Sequence, residues 1–93
     1  MAKQKTERPP TIETVNIGAA GVDIGSREHV AAVNPDMTDA PVRAFGTFTH
    51  DLHDLAYWFK SHGVTSVAME STGVYWIPAN EILEQHGFEV VLV

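Results

Sequence analysis

Across residues 20–93 the apolar positions change spacing in a set succession, and few folds accommodate it. Ala20-Gly21-Val22-Asp23-Ile24 is a short apolar run holding one acid and ended by Gly25-Ser26, which predicts a buried strand. Residues 29–33 form a second strand candidate, followed by turn chemistry at Asn34-Pro35-Asp36. Residues 42–48 form a third, in which Arg43 and Thr47 alternate with Val42, Ala44 and Phe48 and only Phe45 breaks the pattern. Three strands joined by short turns predict an antiparallel meander.

The spacing then becomes helical. Leu52, Leu55, Ala56 and Phe59 fall at i, i+3, i+4 and i+7, the stripe of an amphipathic helix. Thr49 or Asp51 can cap its start, Lys60 and His62 suit its negative end, and Gly63 stops it. Residues 64–69 read as a fourth strand ending at Glu70. Pro78 suits the first position of a second helix, with Ala79, Ile82, Leu83 and His86 as its stripe and Gly87 as its stop. Residues 88–93 are nearly continuous in apolar side chains, as in a strand covered on both faces. The order is β-β-β-α-β-α-β, an α/β hairpin sheet continued by parallel crossovers. A strand of that kind at the end of a chain predicts a truncated domain over residues 20–93, preceded by a flexible tail over residues 1–19 that carries Pro9-Pro10 and scattered charge.

Composition excludes several classes. With no cysteine in 93 residues, neither a disulfide framework nor a zinc-thiolate site is available. No apolar run approaches the roughly 18 residues of a membrane span, and the first ten residues lack the apolar segment of a signal peptide. The expectation is a soluble cytoplasmic protein without a membrane partner. Three of the six basic residues (Lys3, Lys5, Arg8) precede residue 9; the rest of the chain sets three against eleven carboxylates, a balance of −8 with His neutral. Such a domain repels a phosphate backbone at long range, so a nucleic-acid role would depend on metal ions, the basic tail or other parts.

Two acids stand where chemistry is plausible. Asp23 lies inside Gly21-Val22-Asp23-Ile24-Gly25, where burial is unfavourable unless a cation or hydrogen bonds compensate it; a solvated acid at a strand end is the plain alternative. Glu70 opens Glu70-Ser71-Thr72-Gly73-Val74-Tyr75-Trp76 at the carboxyl end of a parallel strand, where α/β sheets place their sites. The plain alternative there is a capping loop, with Ser71 or Thr72 bonding backbone amides and Tyr75 and Trp76 closing the core edge. Right-handed crossovers favour the fourth strand beside the first, which makes Asp23 and Glu70 neighbours. Adjacent carboxylates repel unless a divalent ion lies between them, and oxygen ligands without cysteine point to Mg²⁺ or Mn²⁺. Paired hard cations serve phosphodiester chemistry, for which two carboxylates are too few. Asp51 and Asp54 read as first-turn or solvated residues, and among the five histidines only His50 and His53 share a helical face, in a turn expected to be solvated.

The segments Gly-Val-Asp-Ile-Gly-Ser-Arg-Glu-His-Val (21–30) and Val-Ala-Met-Glu-Ser-Thr-Gly-Val-Tyr-Trp-Ile-Pro (67–78) together resemble the amino-terminal domain of insertion-sequence transposases of the DEDD type. The resemblance runs from about residue 21 to residue 93, and its second segment is the more distinctive. It implies a ribonuclease-H-like, RuvC-like fold with strand order 3-2-1-4-5, counting along the chain. It implies that Asp23 is the first D and Glu70 the E of a Mg²⁺-binding (or Mn²⁺-binding) catalytic set, with Gly25, Ser26, Ser71, Thr72 and Gly73 supporting the loops. DNA, a structured guide RNA and a carboxy-terminal domain are the implied partners. The two later Asp residues have no match in this chain, so the resemblance implies an isolated domain that does not cleave DNA.

Two other classes remain open from the sequence. Actin, Hsp70 and sugar kinases share the ribonuclease-H-like fold and open on a similar Asp-x-Gly-Ser/Thr turn, in which Ser26 would help to cradle a phosphate of ATP. The second is a non-catalytic remnant or modulator that pairs through its exposed sheet, with an intact transposase or as a homo-oligomer.

Overall fold

The computed structural model describes residues 18–93, so the expected tail lies outside the described residues except at its last two positions. The elements are β1 (Ala19–Ile24), β2 (His29–Ala32), a 3₁₀ turn (Pro35–Met37), β3 (Val42–Phe45), α1 (Thr49–Ser61), β4 (Ser66–Ser71), α2 (Trp76–Gln85) and β5 (Glu89–Leu92). They form one mixed α/β sheet in the order β3-β2-β1-β4-β5, the expected 3-2-1-4-5. β1, β2 and β3 pair antiparallel, whereas β4 joins β1 in parallel and β5 joins β4 in parallel.

This topology decides which face is covered. β3→α1→β4 and β4→α2→β5 both progress in the same direction across the sheet, and right-handed crossovers in one direction put both helices on one face. The two helices pack against each other, and the strands alternate accordingly. Val22, Ile24, Val67 and Met69 point into the helix layer and are buried, while Asp23, Ala68 and Glu70 point away and are exposed. The stripes Leu52, Leu55, Ala56 and Phe59 of α1 and Ala79, Ile82 and Leu83 of α2 fill the other half of the core.

Both helices end as their glycines require. Gly63 and Gly87 have φ of +72° and +93°, the left-handed conformation that glycine adopts without strain. After α1, Gly63 N–H donates to Lys60 O and Val64 N–H to Phe59 O. After α2, Gly87 N–H donates to Glu84 O and Phe88 N–H to Leu83 O. These bonds satisfy carbonyls that a helix end leaves free. Phe59 and Phe88 meet edge to face, with ring centroids 5.9 Å apart.

Several boundaries differ from the sequence pattern: β2 ends at Ala32, β4 runs Ser66–Ser71 rather than 64–69, and β5 runs Glu89–Leu92. β1 begins one residue early, at Ala19. β3 stops at Phe45 because the chain turns into α1: the Asp51 carboxylate accepts the Phe48 N–H at 3.0 Å, and a side chain at Gly46 would collide with that carboxylate. Asp51 therefore secures the helix start and Thr49 makes no cap, while the Phe48 side chain is exposed. α2 starts at Trp76 and places Pro78 third, which is tolerated because the first four helical N–H groups have no intrahelical partner. β5 is an edge strand, with Val91 and Leu92 each about half exposed, so the expected cover on both faces is not observed among the described residues. Among the described residues its apolar run meets helices on one side alone.

Candidate functional site

Asp23 and Glu70 are register partners in the parallel pair of β1 and β4. Each is flanked along its strand by residues that point into the helix layer, so both carboxylates project from the open face. Neighbouring strands lie about 4.8 Å apart, and the two acids are thus side by side near the carboxyl ends of their strands. Across the same row Asp23 is paired with Val30 of β2, and Val30 with Ala44 of β3. Neither carboxylate has a hydrogen bond or an ion pair among the described residues. Ala68 next to Glu70 and Gly21 next to Asp23 leave the approach to them low and uncrowded.

The loops beside these acids are held by short-range contacts. Gly25 N–H donates to Glu28 O at 3.1 Å and lies 3.3 Å from His29 Nδ1, closing the β1–β2 turn. A Cβ at Gly25 would approach Glu28 O to 2.6 Å, so the turn requires glycine for close backbone approach. Ser26 is exposed on that turn. After β4, the Ser71 hydroxyl donates to Gly73 O at 3.2 Å and accepts from Gly73 N–H at 3.3 Å. Thr72 and Gly73 are exposed at the tip of this loop. Trp76 packs against the core edge, whereas Tyr75 is exposed.

Other acids do not join the pair. Asp51 is occupied at the start of α1, and Asp54 is exposed on the same helix, on the covered side of the sheet. Among the described residues no three His, Cys, Asp or Glu side chains gather closely enough to hold an ion.

The histidines are arranged differently from the sequence expectation. His50 is solvated as expected and touches Asp51 at 3.2 Å. His53 turns away from His50 and meets His86 of α2, with Nδ1 2.9 Å from Nε2. Desolvation lowers the His86 pKa, and the nearby charges of Lys60 and His53 lower it further. His29 is the one buried polar or charged residue among those described. Burial lowers its pKa, partly offset by a hydrogen bond from the ring to the Glu28 backbone and by the charge of Asp51. The signals were present in the sequence: His29 alternates with Ala31 and Val33 onto the covered face, and His86 continues the stripe of α2.

A mixed sheet in this order, with helices on one face and two acids in register on the other, has the architecture expected of a ribonuclease-H-like domain. Comparison with protein families narrows the class: a family model for transposases of the DEDD, IS110 type matches residues 20–93. The chain belongs to that transposase family. No curated protein is similar to it at a significant level. No helix among the described residues is long and apolar enough to cross a membrane.

Proposed function

We propose that this domain contributes two metal ligands, Asp23 and Glu70, to the active site that cleaves and rejoins DNA during insertion-sequence transposition. The observation that carries the proposal is the parallel register of these acids on the open face. Their donor set fits the ion: two carboxylates offering only oxygen, exposed and without other partners, suit a hard cation such as Mg²⁺ or Mn²⁺, which fills its remaining positions with water or further oxygens. When bound, such ions activate the attacking oxygen and stabilise the leaving oxygen of a phosphodiester.

The chain's own residues have definable tasks in this reading. The β1–β4 ladder fixes the spacing of the carboxylates. Gly25 keeps the neighbouring turn tight, and Ser71, bonded to Gly73, shapes the loop that follows Glu70. Two carboxylates do not complete a two-ion site, so the remaining acids of the DEDD set come from a part of the transposase other than the described residues. The nucleic-acid surface, including contact with a guide RNA, is assigned to other parts as well, because residues 9–93 are strongly acidic. The family match is to transposases, and no observation favours the ATP-binding alternative.

Paramagnetic Mn²⁺ provides the test. Substoichiometric Mn²⁺ should broaden the backbone amide signals around Asp23 and Glu70 selectively, while those of α1 and α2 stay sharp. Broadening centred elsewhere, or uniform over the acidic surface, would remove the basis for a shared site.

A further inference from the structure

We propose that His53 and His86 form a second cation site, selective for a borderline transition metal such as Zn²⁺, which clips α1 to the end of α2. The site is independent of the proposed carboxylate centre and lies on the opposite, helix-covered side of the sheet.

The two imidazoles come from rigid positions. His53 lies within α1, whereas His86 ends α2, where its N–H is held by Ile82 O and Leu83 O at 3.1 and 3.2 Å. Both rings are half-buried. Their facing nitrogens, His53 Nδ1 and His86 Nε2, are 2.9 Å apart, and the Tyr57 ring stands edge-on to His86 with centroids 5.1 Å apart. Without metal, one ring donates its N–H to the lone pair of the other. Two imidazoles on one tetrahedral Zn²⁺, with bonds of 2.0–2.1 Å, place their nitrogens about 3.3 Å apart. The nitrogens of the observed pair must open by a few tenths of an ångström, and both rings must turn so that the lone pairs, now aimed along the line between them, converge on the ion.

The proton inventory is simple. The hydrogen now shared between the rings moves to the other nitrogen of the donor ring, leaving two lone pairs for the metal and no net proton release from two neutral histidines. Ligation requires both rings in their neutral form. Imidazole selects Zn²⁺, Ni²⁺ or Cu²⁺ over Mg²⁺, which prefers oxygen. Water completes the coordination, since no third protein ligand joins the pair among the described residues. Lys60 is the opposing influence, because its charge acts on His86 and would repel the ion.

Tag-free protein titrated with Zn²⁺ and followed by thermal unfolding is the experiment. A saturable rise in Tm is expected, because a ligand that binds only the folded state stabilises it. His53→Gln and His86→Gln should each remove the rise, Lys60→Gln should strengthen it severalfold, and Asp23→Asn with Glu70→Gln should leave it unchanged. Should a histidine variant fold poorly, Zn²⁺ titration of the unmodified chain by NMR gives the same answer through selective shifts of the His53 and His86 ring signals. The proposal is overturned by the absence of any saturable effect, by an effect that survives both histidine substitutions, or by one that disappears with the two carboxylates.

Discussion

Asp23 and Glu70 sit opposite each other on parallel neighbouring strands, 47 positions apart in sequence yet adjacent on the uncovered face of the sheet. Like charges directly across a strand pair disfavour the fold, and here no cation among the described residues offsets them. Under the proposed function, a divalent ion held between the two carboxylates offsets this repulsion.

The first prediction concerns that repulsion. Without divalent ions, Asp23→Asn or Glu70→Gln should raise stability by roughly 0.2–1 kcal/mol, measured by urea unfolding at low ionic strength. With Mn²⁺ present, the unmodified chain should gain in Tm and either variant should not. An equal Mn²⁺ response in both variants would contradict the shared site.

The second concerns activity. Two carboxylates cannot complete a two-ion centre, so the purified 93-residue chain should not nick supercoiled DNA in Mg²⁺ or Mn²⁺. Metal-dependent nicking that co-purifies with the chain and is lost in Asp23→Asn would show that the site is sufficient by itself.

Acid should weaken the fold through His29. Desolvation lowers the pKa of this buried histidine below its ordinary value of about 6.5. The unfolded chain then binds the proton more readily. The contribution of the neutral ring is thus full above about pH 6.5, and it is lost as pH falls through that value toward the folded pKa. His86 acts in the same direction. Thermal unfolding between pH 8 and pH 5 should show Tm falling, and His29→Gln should fall less steeply from a lower start. Parallel curves would mean that His29 does not carry the effect.

Gly25 links fold to site. Gly25→Ala drives a methyl group against Glu28 O, so the β1–β2 turn must shift. The expected loss is about 1–3 kcal/mol, with displaced amide signals at Asp23 and weaker Mn²⁺ binding. Unchanged stability and spectra would show that the turn relaxes freely.

Much of this was legible along the chain. The stripe of Leu52, Leu55, Ala56 and Phe59, the stops at Gly63 and Gly87, and the placing of Asp23 in a strand and Glu70 near the end of one follow from local periodicity and backbone preference. Those are properties of one element at a time. The end of β3 was not legible, because Asp51 draws Phe48 into the start of α1 across a sequence that still alternates like a strand. The uncovered edge of β5 was hidden for a related reason: apolar content reports what a residue would gain from burial, not which neighbours reach it.

By itself, then, the sequence determined the elements, their order and the two acids facing out of apolar strands. Tertiary structure decided that both helices lie on one face, that the acids share the other in register, and that His53 meets His86 rather than His50. The physical reason is that periodicity is set by a residue's immediate neighbours along the chain. Facing, register and long-range pairing arise only when the handed crossovers bring distant segments together.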